Sequence, residues 1–98
     1  MKVIHHFNDG SYTKEIHLEA GECTEKHMHT YDHFSTLKVG IADVWVDGVR
    51  EMMFAPKRIT VKANKQHLVR AVTPLIWLCE HATDCTDPDL IDDVLKEA

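Results

Sequence analysis

The sequence predicts an all-β domain, a sandwich or small barrel of about eight antiparallel strands followed by one short C-terminal helix. Three observations lead there. Turn chemistry recurs from Val3 to about Glu80, at Asn8-Asp9-Gly10, Ala20-Gly21, Asp47-Gly48, Ala55-Pro56, Ala63-Asn64 and Thr73-Pro74, and leaves segments too short for helices. Between the turns, apolar and polar residues alternate, as a sheet with one buried face requires. After His81 the composition changes and helix signals appear.

The elements follow in order. Tyr12, Lys14, Ile16 and Leu18 share one parity and cannot keep an apolar face at helical spacing. Ile41 to Val46 and Val49 to Phe54 flank Asp47-Gly48, a dipeptide that supplies the positive φ angles of a type I′ turn, so they form a hairpin. Residues 59–61 and 68–72 are short runs rich in Val and Ile, and 75–79 reads as a strand buried on both faces. Thr86-Asp87-Pro88-Asp89 offers an N-cap and a proline at the first helical position. Leu90, Ile91, Val94 and Leu95 then recur on one face of a helix over about 87–97. Asp87 and Asp89 at its start and Lys96 near its end suit the helix dipole. This helix packs on its own barrel or on a second subunit.

The 98 residues make one domain, 1–98, with one core. Sixteen acidic against 11 basic residues give a net charge of -5, which opposes nucleic acid and acidic membranes as partners. The longest apolar run, 75–79, is far below the roughly 20 residues of a membrane span. Cys23, Cys79 and Cys85 cannot all pair with one another, which fits a reducing compartment, and the expected location is the cytoplasm. Lys57, Arg58, Lys62, Lys65 and Arg70 gather positive charge, read first as a solvated sheet edge and second as guidance for an anionic substrate.

The anomaly is histidine, at eight residues. Residues i and i+2 of a strand point to one side, so His27 and His29 can present both imidazoles to one point. In a straight strand His33 would lie about 13 Å from His29, too far to share an ion, so Thr30-Tyr31-Asp32 must turn the chain and let His33 open the next strand. His67 opens a later strand and arrives by tertiary folding. His5, His6, His17 and His81 belong to no comparable cluster and are read as surface or core residues. Met28 and Tyr31 read as packing residues.

This segment resembles the first motif of the cupin family. Gly21 is followed by five residues, then His27-Met28-His29, three residues, His33, six residues and Gly40, and His33 stands where the family most often has Glu. The second motif is matched at His67, while Lys62, Asn64 and Ala71 stand at its Pro, Gly and Asn positions. Asn64 tolerates the left-handed conformation a turn glycine adopts. The resemblance covers about residues 16–82 and leaves the C-terminal helix unexplained. It implies a small cupin-type β-barrel (jelly roll) holding one divalent transition-metal ion, Fe, Ni, Zn or Cu, on His27, His29, His33 and His67. Four neutral imidazoles leave the ion at about +2, where three histidines and a Glu leave about +1. That favours an anionic, chelating partner such as a 2-oxo acid, hydroxy acid or enolate.

Three uses of such a site follow. The first is a mononuclear non-haem dioxygenase acting on a small oxo or enolisable acid. The second is a ligand-binding or sensor protein without turnover. The third is a metal-dependent isomerase or lyase in which a side chain moves a proton. Glu25 and Asp32 have parity opposite to the histidine pair, and no catalytic residue is named. Small cupins are often homodimers, and a homodimer is expected here.

Overall fold

A computed structural model describes residues 1–26 and 28–97. Among them run β1 (Lys2–Asn8), β2 (Ser11–Leu18), β3 (His33–Val39), β4 (Ile41–Val46), β5 (Val49–Phe54), β6 (Lys57–Val61), β7 (His67–Ala71), β8 (Leu75–Ala82) and α1 (Ile91–Glu97). The strands form two antiparallel sheets, ordered β1-β2-β8-β3-β6 and β5-β4-β7. The expected all-β architecture with one short helix is the one observed.

Alternation builds the core. Ile16 and Leu18 of β2, Leu37 of β3 and Leu75, Trp77 and Cys79 of β8 meet Ala42 and Val44 of β4, Met53 of β5 and Val69 and Ala71 of β7 in one buried cluster. The two sheets therefore pack face to face. Cys79 is a buried small hydrophobe whose thiol burial pushes up in pKa, and it accepts a hydrogen bond from the Ser35 hydroxyl at 3.7 Å.

The β4–β5 hairpin has the expected ends and register, with Val46 opposite Val49. Asp47 and Gly48 have φ of +48° and +79°, the two positive angles of the type I′ turn. Gly40 links β3 of one sheet to β4 of the other at φ +95°. A Cβ there would collide with the Pro74 carbonyl oxygen and come within 2.9 Å of the Leu75 Cβ.

Three expectations are corrected. β8 is not buried on both faces: Leu75, Trp77, Cys79 and His81 are buried, while the residues between them are half-buried. A central strand of a two-sheet fold still has an outer side. The described residues of 19–32 form no strand apart from a single bridge between Cys23 and Arg70, so His29 does not reach its place by strand alternation. The helix buries Ile91 and Leu95, but Leu90 and Val94 stay exposed, because its contact is a narrow stripe.

That stripe packs on the protein's own sheet, against Tyr12, with Phe7, Tyr31 and Cys85 around it. The Asp87 carbonyl accepts from the Ile91 amide at 3.0 Å, and the Asp87 carboxylate accepts from the Asp89 amide at 2.8 Å. Asp87 thus caps the turn that leads into the helix. Of the basic cluster, Arg58 pairs with Glu80, Lys62 with Asp32 and Lys65 with Asp47, as a solvated edge does.

Candidate metal centre

The strands deliver three histidines to one end of the core. His33 opens β3 with the inward parity of Ser35 and Leu37, His67 opens β7 with that of Val69 and Ala71, and His81 continues the inward row of β8. Because Phe34 pairs with Glu80, His33 and His81 lie side by side, with ring centroids 4.8 Å apart. His29 joins from the irregular segment, its ring 5.2 Å from that of His33 and 5.1 Å from that of His81. His67 stands 5.4 Å from His33 and 6.1 Å from His29, centroid to centroid.

Tertiary hydrogen bonds replace the missing strand at His29. Its carbonyl accepts from the Asn64 amide at 2.7 Å, and Asn64 has φ +63°, the left-handed conformation expected of it. The Asp32 carboxylate accepts from the Ala63 amide at 2.7 Å. That bond, followed by the Lys62 charge, holds Asp32 below the usual carboxylate range. The loop between β6 and β7 therefore pins both ends of the turn that carries His29 to His33.

The chemistry of these side chains suits a transition-metal ion. Ligand nitrogens of His29, His33 and His81 lie within 4.8 Å of one another, and all three residues are buried. An ion with bonds of about 2.1 Å spans at most about 4.2 Å between ligands, so small ring rotations suffice. The His29 Nδ1 lies 3.1 Å from the Leu95 carbonyl of α1, which can only accept, so Nδ1 carries the hydrogen and Nε2 is the nitrogen that would meet an ion. The His81 Nδ1 meets the Tyr31 hydroxyl at 3.0 Å. Burial pushes the Tyr31 phenol up to about 12, so it stays protonated at neutral pH. Donors made only of imidazole favour Zn, Fe, Ni or Cu over Mg and Ca.

Of the four ligands the resemblance implies, the structure gathers His29, His33 and His67 in one buried cluster, and His27 lies outside the described residues. His81, read from the sequence as a residue without a role, stands in the cluster's tightest group. Its signal was present in the parity it shares with Leu75, Trp77 and Cys79. Tyr31, read as packing, also touches the site through its hydroxyl.

A cavity of about 190 Å³ leads to the cluster, lined by His29, His81, Thr24, Glu25, Lys14 and Asp92 among others. A larger concavity, about 280 Å³, lies on the outer face of β4 and β7 around Trp45, Leu68 and Arg70, and shares only His67 with the cluster. The smaller one holds the chemistry.

No family model matches the chain, and no curated protein matches it in sequence. Solved structures do match in fold. A cupin 2 domain-containing protein from Halorhodospira halophila superposes with a TM-score of 0.74 at 18% identity, covering 93% of this chain and 73% of its own. A cupin superfamily protein from Desulfitobacterium hafniense gives 0.72 at 16%, covering 85% and 79%. KdgF from Halomonas sp. gives 0.71 at 17%, covering 96% and 82%. Two antiparallel sheets, a histidine cluster between them and these superpositions agree: the chain has the cupin fold.

Proposed function

We propose that this protein binds one divalent transition-metal ion on the buried imidazoles of His29, His33 and His81, with His67 beside them, and uses the ion's remaining positions, as a non-haem dioxygenase, on a small anionic oxo or enolisable acid. The observation that carries this is the convergence of three buried imidazoles, their nitrogens within 4.8 Å of one another, at the end of a cavity. The ion supplies Lewis-acid character and, as Fe, Ni or Cu, redox chemistry. The chain orients His29 through the Leu95 carbonyl, holds His81 beside the Tyr31 hydroxyl, and keeps bulk water from the buried rings. Three free cysteines support a reducing compartment such as the cytoplasm.

A second reading, a metal-dependent isomerase or lyase, is favoured by Glu25 and Asp92, carboxylates that border the cavity and could move a proton. Oxygen uptake with 2-oxo acids and diketones separates the two, since the second reading consumes none.

The charge of the site gives a direct test. His33→Glu keeps the metal but lowers the site's charge by one, so pyruvate affinity of the metal-loaded protein falls about tenfold. Titration of wild type and variant, with metal content measured in parallel, checks this. Unchanged affinity at full metal occupancy removes His33 from the ligands.

A homodimer is part of the proposal. The helix stripe is already spent on the protein's own sheet, so pairing uses exposed strand residues such as Phe34, Met52 and Phe54. Light scattering is expected to give twice the chain mass at micromolar concentration, and a clean monomer refutes pairing.

A further inference from the structure

Lys14 occupies an unusual position. It sits on β2 in the inward row of Tyr12, Ile16 and Leu18, directly opposite buried Cys79 in β8. Its side chain is 27% exposed and lines the same 190 Å³ cavity as His29 and His81. Among the described residues lining that cavity, it is the one lysine or arginine. A cation there must shed part of its hydration, which costs free energy unless an anion meets it. The anion that meets it is Asp92, 3.1 Å away on α1 and 56% exposed, a pairing too solvated to contribute more than about 1 kcal/mol.

We propose that Lys14 is the second anion contact of the cavity and that the ligand is a small diacid. One carboxylate, with its neighbouring hydroxyl or oxo group, chelates the ion held by the histidines, and the other meets the Lys14 ammonium. This rests on the metal site proposed above and names its substrate class. Charge placement supports it. Imidazole donors leave the ion its full +2, and Lys14 adds a second positive point across the cavity, so a ligand with two carboxylates meets both, while Glu25 and Asp92 border the same space as carboxylates. The ammonium has three donors, so it holds Asp92 and a ligand carboxylate together. The cavity has room for about six waters, which suits a short-chain acid. The C-terminal helix thereby gains a role: it supplies the carboxylate that keeps Lys14 at the cavity.

The test is calorimetric titration of metal-loaded protein with L-malate and with L-lactate, hydroxy acids with and without the second carboxylate. Wild type is expected to prefer malate at least tenfold. Lys14→Met collapses the ratio to about one. Asp92→Asn, at an exposed position that does not threaten the fold, raises malate affinity several-fold by freeing the ammonium. Equal binding of the two acids by wild type, or a ratio that survives Lys14→Met in protein of full metal content, overturns the diacid proposal and leaves the metal site standing. Binding of neither acid by protein of full metal content likewise overturns the diacid proposal alone, whereas no bound metal in wild type overturns both.

Discussion

His81→Ala is expected to lower bound metal from the proposed one ion per chain to less than about a tenth at micromolar protein, a loss in affinity greater than 100-fold. The magnitude follows from comparison with outer partners, whose removal alone costs about 10–100-fold. Removing a donor costs more, because the ion keeps fewer of its bonds. Tyr31→Phe deletes the hydroxyl 3.0 Å from the His81 Nδ1 and leaves the ring stacked 5.2 Å from His29, so it belongs to the milder class, with about tenfold weaker binding. His6→Ala, on the exposed edge strand, changes nothing. Metal analysis of untagged protein and competition with a chelator read all three. Metal retained at wild-type affinity by His81→Ala but lost by His67→Ala would return the site to the four residues that motif spacing implies.

Gly40→Ala is expected to destabilise the fold by roughly 2–6 kcal/mol, enough to lower Tm by more than about 10 °C. Two costs add. A left-handed φ of +95° strains any residue with a Cβ, and that Cβ meets the Pro74 carbonyl and Leu75 where the chain passes from one sheet to the other. Gly21→Ala separates the two, since Gly21 has φ +87° with nothing within 4 Å of the added carbon. Strain alone then costs about 1–2 kcal/mol. Thermal melts of both variants decide, and equal losses would show that the close approach at Gly40 is relieved by local shifts.

The sequence was most legible where a local rule acted without competition. The β4–β5 hairpin followed from Asp47-Gly48, because positive φ at two successive residues selects one turn and therefore one register. The start of β3 at His33 followed from distance, since no extended chain brings His29 and His33 together. The site was less legible because its geometry is tertiary. His29 is held by the Asn64 amide and by the Leu95 carbonyl, 66 residues further on, and neither contact leaves a mark near His29 in the sequence. Asp32, which was expected to serve its own turn, bonds to the Ala63 amide instead. His81 was missed by reading clusters along the chain, where the row Leu75, Trp77, Cys79, His81 already placed it inside.

A donor set without a carboxylate lets the polypeptide fold first and take its ion afterwards. A glutamate at position 33 would enter the core as an anion, and burying a lone charge costs several kcal/mol until the metal arrives. Neutral imidazoles enter at the cost of a polar group, which neighbouring rings and carbonyls offset. On the proposed site, folding and loading would thus be separate events. Exchange of an ion would then need only local opening of the described residues on either side of His29, which lie in no regular strand, while the two sheets stay closed.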